Sequence, residues 1–416
     1  MITKKKILIH SIAFSPDCVS TAYLYNDIAN GFKENGFEVI VLTTTPHYNI
    51  VKGEIEKQPL RRKWLGIYYE SYYNGIKVLH VPQKKFKSSF LRMIGFIYWH
   101  IISTFLGLAQ KNISAILSPS PPLTIGAVNL LIAKLKRAKV IYNVQEIYPD
   151  FLIEQGGLKS GFVIKILKML EKFVYNQSDA VTTIDDIFYK AIIGRFNNKS
   201  KLHIIPNFVD TKLYKPLEKT NLDSKLFLKN DHLKLMYAGN IGHAQDWQPF
   251  LQAAIQLRND PIDFYVIGEG VMKRYVEENV LKYKLSNVHI LPYQPREKMP
   301  QLLAFADLQF IFMSKEMEEH GFPSKVYTIM ACAKPLLVCS GFNTPIVNFL
   351  KDHNCSKIIA GGDIEEITNE IVGFLRSISK IELNEMGQKG LNVITKHYSK
   401  EVVVMKYISL VTKLID

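Results

Sequence analysis

The chain holds 416 residues, 47% of them hydrophobic and 22% charged, which is too long for one ordinary domain and ordinary for a globular protein with large cores. Its net charge is +14, and the charge is uneven: residues 1–205 carry 27 Lys and Arg against 14 Asp and Glu, the remainder 25 against 24. A basic half asks for an anionic partner, and the absence of zinc-ligand spacing, an RNP-like aromatic run or a basic heptad excludes nucleic acid, leaving an anionic membrane surface or an anionic substrate.

The first stretch, MITKKKILIHSIAF, has the charge order of a signal peptide, but its apolar run of about eight residues contains His10 and no small-residue cleavage site follows, so it reads as a strand over 6–14. Leu24, Ile28, Ala29 and Phe32 then recur at helical spacing over 21–35, Gly36 supplies a left-handed stop, and FEVIVLT (37–43) is a second buried strand. This β-α-β unit belongs to the parallel-sheet kind. SPDCVST occupies its first turn where a G-x-G-x-x-G would stand, which argues against a dehydrogenase.

Residues 45–75 are polar and aromatic, with a basic patch RRKW at 61–64, and 76–81 is a strand. Residues 83–111 hold an apolar helix flanked by Lys and containing Arg92 and His100. A central Arg makes it a poor spanning helix. It reads either as a helix lying in a membrane interface or as a core helix of the first domain. Strands follow at 113–117, 139–144, 180–183 and 202–205, with helices between them. Glu146, in QEIYPD, stands at the C-terminal end of the 139–144 strand, where open α/β sheets hold ligands. It can be a base, an acceptor contact or the cap of the next segment. The four cysteines (Cys18, Cys332, Cys339, Cys355) show no C-x-x-C and read as reduced structural thiols of a cytosolic protein.

IPNFVD (205–210) and a polar, Lys-rich stretch to about 233 break the pattern, and a second β-α-β series begins. Its strands are expected at 233–238, 263–267, 287–290, 308–312, 335–339 and 356–360, with a helix at 363–376 and a last helix at 402–415. The fold class is therefore α/β, two doubly wound parallel-sheet (Rossmann-like) domains whose strand edges face a central cleft. Within the second domain, EMEEHGFPSKVYTIMACAKPL (316–336) runs from acids and a His through a Gly-Phe-Pro break into a short helix. Pro323 and Ser324 suit its first turn, and Lys325 sits beside them. The stretch is either an anion site, with phosphate on the helix end, or a loop-to-helix turn with a solvated acidic lip.

The order and spacing of HSIAFSPD, NGFEVIVLTTTPHYN, SPSPPLTIG, YNVQEIYPD, IIPNFVDTKLYKP, YAGNIGHAQDW, VIGEGVMK, LPYQPREKMPQLLAFAD and GFPSKVYTIMACAKPLL resemble the family 4 glycosyltransferases. These are retaining enzymes of the two-domain GT-B fold, and the most similar branch is the amino-sugar (N-acetyl-L-fucosamine-type) transferases of O-antigen and colanic-acid-like polysaccharide synthesis. The resemblance implies an acceptor-binding domain over 1–205, a nucleotide-sugar-binding domain over 206–395, and a C-terminal helix over 396–416 free to cross back to the first. It implies a nucleotide-sugar donor, UDP-linked, and a glycan acceptor, oligosaccharide or polyprenyl-diphosphate-linked. The basic first half would meet an anionic membrane, placing the protein in the cytoplasm, peripheral at the inner face of the cytoplasmic membrane.

Carried over by position, Gly239, Asn240, Gly242, His243 and Gln245 fall on the diphosphate loop, Gly268 and Gly270 near the nucleotide, and Tyr293 on the segment contacting the base. Phe322, Pro323, Ser324 and Thr328 fall on the donor segment, and Glu146, Glu319, His320 and Lys325 on the chemistry. The family's Arg and Lys of the diphosphate loop are here Asn240 and Gln245, and its acid pair falls on His320 and Thr328, with Glu319 one position early. A leaving diphosphate still develops charge, so Lys325, the amides of 322–325 and those of 240–243 are expected to substitute. No D-x-D occurs, and the resemblance implies no cofactor and no obligatory metal. A nucleotide-sugar 2-epimerase of the same fold and a non-catalytic donor-binding or scaffold relative are the alternatives.

Overall fold

The computed structural model describes residues 4–84, 88–154, 156–218, 227–318 and 322–416. They form two compact units, 1–207 with 400–416, and 208–399.

The first unit runs β1 (Lys6–His10), α1 (Ser20–Glu34), β2 (Glu38–Thr44), α2 (Lys52–Lys57), β3 (Arg61–Lys63), β4 (Tyr68–Tyr73), β5 (Ile76–Val81), α3 (Ser89–Ala109), β6 (Ile113–Pro119) and α4 (Leu123–Lys136). It continues with β7 (Lys139–Val144), α5 (Asp150–Glu154), α6 (Gly161–Gln177), β8 (Ala180–Thr183), α7 (Asp186–Ile192) and β9 (Leu202–Ile204). The sheet order is β3-β4-β5-β2-β1-β6-β7-β8-β9. From β5 to β9 every pairing is parallel, and strands covered on both faces are apolar throughout, as in ILI of β1 and IVL of β2.

The strands β3 and β4 are antiparallel additions inside the polar, aromatic stretch to which the sequence reading assigned no strand. Their signal was present in the sequence. Asn74 and Gly75 both have positive φ, 47° and 73°, and join the paired residues Tyr73 and Ile76. Asn-Gly is the preferred pair for such a two-residue hairpin turn.

The second unit runs β10 (Leu233–Ala238), α8 (Trp247–Gln256), β11 (Ile262–Ile267), α9 (Lys273–Lys282), β12 (Val288–Leu291), α10 (Met299–Phe305), β13 (Leu308–Phe312), α11 (Lys315–Glu318) and α12 (Lys325–Ala331). It closes with β14 (Leu336–Ser340), α13 (Pro345–Leu350), β15 (Ser356–Ala360), α14 (Ile364–Ser377) and α15 (Lys380–Val393), the last missing from the sequence reading. Its sheet is fully parallel, in the order β12-β11-β10-β13-β14-β15. The order reverses between β10 and β13, which is where ligands bind in such sheets, at the carboxyl ends of the strands.

The boundary lies two residues beyond the expected 205, and the return to the first unit begins at Lys400 rather than 396. Side chains and ladder bonds explain both shifts. Asn207 donates to Gln145 of the first unit at 3.0 Å. Val209 pairs with Ser399, which ties the stretch up to 399 to the second unit. The last helix, α16 (Lys400–Ile415), packs on α1 so closely that a Cβ on Gly31 would lie 2.1 Å from Val404 Cγ1.

Asn143, fully buried in β7, knits this unit together. Its Oδ1 accepts from Tyr25 Oη at 2.6 Å and Gln145 Nε2 at 2.8 Å, and its Nδ2 donates to Thr182 Oγ1 at 2.8 Å and Tyr407 Oη at 3.0 Å. All four capacities of the amide are used, and α1, β7, β8 and α16 meet in one side chain. Asn143→Leu keeps the volume but removes the amide that Tyr25, Gln145, Thr182 and Tyr407 share. We expect a loss of about 2–4 kcal/mol in urea-unfolding stability; an unchanged midpoint would show that the network contributes nothing.

Candidate active site

In the second unit the candidate residues gather where β10 and β13 end. Two loops, after β10 and after β11, lie back to back. Gly239 N donates to Ile267 O and Ile241 N to Glu269 O, both at 2.9 Å. The approach leaves no room for a side chain: Gly268 has φ 148°, and a Cβ there would lie 1.9 Å from the Gly239 carbonyl oxygen. Gly270 meets the Ile241 carbonyl in the same way, at 2.2 Å. The glycines are thus required by backbone packing, which leaves Asn240 and His243 exposed on the rim.

Lys325, the first residue of α12, reaches under this loop. Its Nζ donates to Ala238 O at 3.3 Å and stands 3.9 Å from the centroid of the Tyr237 ring, a cation–π arrangement. A Cβ on Gly239 would lie 2.6 Å from Nζ, so the ammonium rests directly against the glycine that opens the loop. Lys325 is half-buried as a residue, but its charged end is desolvated, and burial pushes its pKa down to about 7. Thr328 turns back into the helix, donating to Lys325 O at 2.8 Å, and with Tyr237 and Gln309 it lines a small cavity beside the ammonium. Gln309 is 1% exposed, and its Nε2 has no partner there among the described residues.

Gln245 does something other than contact a ligand. Its Oε1 accepts from Phe312 N and its Nε2 donates to Ala244 O, both at 3.1 Å, so the side chain clips the loop to the end of β13. Phe322 packs against Tyr327 and Phe349 in an aromatic cluster, Ser324 is exposed as the cap residue of α12, and Pro323 precedes it. Tyr293 is exposed after β12. Glu319 and His320 lie outside the described residues. Glu318 is described, and its Oε2 fills the space beside Gly341 at the end of β14. Sequence reasoning missed Ser314, whose buried hydroxyl has no partner among the described residues and whose amide donates to Ala244 O at 3.1 Å. Its signal was its place, the first polar residue after the apolar strand β13 and its Met313. Among the described residues no group of three or more His, Cys, Asp or Glu side chains is placed to hold a metal.

The first unit carries its own cluster at the same kind of edge. Glu146 follows β7, and its carboxyl is hydrogen-bonded with the Tyr148 hydroxyl. Burial raises the pKa of Glu146, and burial together with the Glu146 charge pushes Tyr148 up to about 12. Tyr48 is raised first by burial, then by the charges of Asp17 and Glu146. Asp17, unremarked within HSIAFSPD, is 3% exposed and accepts from the amides of His47, Tyr48 and Asn49 at 3.0, 2.9 and 2.8 Å. A carboxylate held by three N–H groups fixes the loop that presents Tyr48 and His47.

Comparison with known proteins agrees with this architecture. A family model described as "Glycosyl transferase 4-like domain" matches residues 22–207, and one described as "Glycosyl transferases group 1" matches residues 218–392. The chain is 23% identical over 338 residues to WcaI of Escherichia coli, named as a colanic acid biosynthesis glycosyl transferase, covering 78% of this chain and 81% of that protein. It is 22% identical over 290 residues to WbjE of Pseudomonas aeruginosa, named as a glycosyltransferase, covering 67% and 69%. Among solved structures, sucrose-phosphate synthase of Thermosynechococcus elongatus superposes with a TM-score of 0.71 at 13% identity over 99% of both chains. HepE of Anabaena, solved with UDP, gives 0.69 at 14% identity over 98% of this chain and all of that one. The chain belongs to the family 4 glycosyltransferases of GT-B fold.

Two measurements test the local geometry. An unfolded lysine titrates near 10.4, so above about pH 7 the unfolded chain holds a proton that the folded one has released, and stability of the ligand-free protein is expected to rise from about pH 7 to 10. Lys325→Met should flatten that part of the curve; an identical pH profile would mean that the ammonium is solvated. Gly268→Ala should cost about 2 kcal/mol or more, since left-handed strain alone costs about 1–3 and the new methyl meets a carbonyl.

Proposed function

We propose that this chain is a retaining glycosyltransferase that moves a sugar from a UDP-linked donor to a polyprenyl-diphosphate-linked glycan. Its place is bacterial surface polysaccharide synthesis at the inner face of the cytoplasmic membrane. The observation that carries the reading is the Lys325 ammonium resting against Gly239 at the β10/β13 reversal. The names of WcaI and WbjE, and the UDP held by HepE, support the substrate class.

In this reading the donor diphosphate lies over the amides of 240–243. The two cations of the family's loop are absent here, so Lys325 supplies the charge that the departing diphosphate needs as the glycosidic bond breaks. The pKa of about 7 gives that lysine a second property. An arriving diphosphate raises it and draws a proton onto Nζ, so full charge develops only when the donor is bound. The acceptor hydroxyl attacks from the face that the diphosphate leaves, and the departing phosphate oxygen takes its proton. Glu146, raised by burial and bonded to Tyr148, orients the acceptor. In this reading no metal is required, because the sequence lacks D-x-D and Lys325 supplies the positive charge.

Lys325→Ala is expected to cut turnover at least about a hundredfold, the size reported for loss of one oxyanion-type donor, with the thermal transition retained. Affinity for a UDP-sugar is expected to fall as pH rises above 7, by up to about tenfold per unit, and EDTA should leave turnover unchanged. Unchanged turnover in Lys325→Ala removes that residue from the mechanism. A new nucleotide sugar formed without acceptor would identify a 2-epimerase instead, and UDP-sugar binding without transfer to any lipid-linked glycan would identify a binding protein.

A further inference from the structure

Three neighbouring helices of the first unit leave apolar side chains uncovered. Their shared location follows from handedness. The connections β5–α3–β6, β6–α4–β7 and β7–α6–β8 all advance the same way across the sheet, and right-handed crossovers therefore place α3, α4 and α6 on one face. The connection β1–α1–β2 runs the other way and puts α1, with α16, on the opposite face. Packing of α3 against α4 and of α4 against α6 confirms the layer.

Each helix buries one stripe and exposes another of the same character. On α3 the inner stripe includes Trp99, Ser103 and Leu106, while Phe90, Ile94, Ile97, Ile101 and Phe105 face solvent at spacings of three and four. On α6, Phe162, Ile166, Met169 and Phe173 do the same. Leu131 and Leu135 of α4, between them, are 50% and 62% exposed. Helix α3 as a whole is long and apolar enough to cross a membrane by length and composition, yet its inner side is buried in the unit. A run of side chains this size on adjacent helices marks an interaction surface.

Charge decides the partner. The sequences of the three helices contain one carboxylate, Glu171, which is 1% exposed and paired with Arg195. Arg92, Lys134, Lys165 and Lys172 are all exposed among the apolar stripes. A face with only positive charge set among phenylalanine and isoleucine matches anionic headgroups above acyl chains. A second copy of the chain would bring lysines against lysines across a two-fold contact.

We propose that the outer faces of α3, α4 and α6 together form a docking surface for an anionic lipid bilayer. In parallel β-α units each helix begins at the carboxyl edge of its preceding strand. Phe90 and Phe162, at the first turns of α3 and α6, therefore stand at the edge of the sheet that carries Glu146. The face deepens the lipid-linked-acceptor reading and rests on it for its purpose, though not for its existence.

The test is co-sedimentation of the full chain with phosphatidylglycerol-containing and with pure phosphatidylcholine vesicles. Binding is expected to the anionic vesicles only and to weaken with salt. It should fall at least about tenfold in an Ile97→Glu, Phe105→Glu, Ile166→Glu variant, and separately in a Lys134→Glu, Lys165→Glu, Lys172→Glu variant, both with wild-type thermal transitions. Wild-type chain that stays in the supernatant, or variants that sediment like wild type, would overturn the proposal. So would a solution dimer broken by the first variant without vesicle binding, which would assign the face to a second copy. UDP-sugar binding by thermal shift separates this from the catalytic reading: vesicle binding that persists where no UDP-sugar binds upholds the face and removes the donor assignment.

Discussion

The close approach of two backbone loops sets everything else in the second unit. With Gly268 held against the Gly239 carbonyl, no side chain can stand between the ends of β10 and β11. A cation reaches the loop from beneath, because α12 starts at Lys325. An ammonium there loses water, and the Tyr237 ring and the Ala238 carbonyl replace only part of what it loses. Its depressed pKa is therefore a result of the glycine packing rather than of any nearby charge pair. Gln245, beside the same loop, spends its amide on Phe312 N and Ala244 O and clips the loop to the end of β13.

The first unit answers a similar demand with neutral and acidic groups. Asn143 fixes the strand from which the Glu146 segment departs, through Gln145 next to it. Asp17 fixes the opposing loop by collecting three amides. Neither residue is itself a reacting group. Both make a carboxyl and two phenols, Glu146, Tyr48 and Tyr148, stand in one partly desolvated place, where burial raises all three pKa values and nearby carboxylate charge raises the two phenols further.

The parallel strands were legible in the sequence because burial on both faces writes them as unbroken apolar runs, and β5, β7, β8, β10, β13 and β15 were read to the residue. Strands β3 and β4 were not, since β3 is Arg-Arg-Lys and the residues that β4 buries most are Glu70 and Ser71, so neither reads as an apolar run. At the site, local features were readable: the Gly-rich loops, the Pro before α12, the cation after it. What was hidden depends on contacts far apart in sequence. Lys325 meets Ala238 across 87 positions, and nothing near Gln245 announces that its amide is spent on Phe312. The membrane question for 83–111 was posed as a choice between core and interface. Helix α3 carries one apolar stripe buried on the sheet and another exposed, and a composition summed around the helix cannot separate them.

The bond from Asn143 to Tyr407 has a consequence for synthesis. The two residues are 264 positions apart, and α16 also packs along α1 near the start of the chain. Folding during translation proceeds in the order the segments emerge. The second unit, contiguous from 208 to 399, has all its strands available before Lys400 appears. The first unit must wait, holding Asn143 without Tyr407 until α16 leaves the ribosome. The domain translated first is completed last, and the nascent chain carries its full sheet without α16 through the whole of the other domain's assembly.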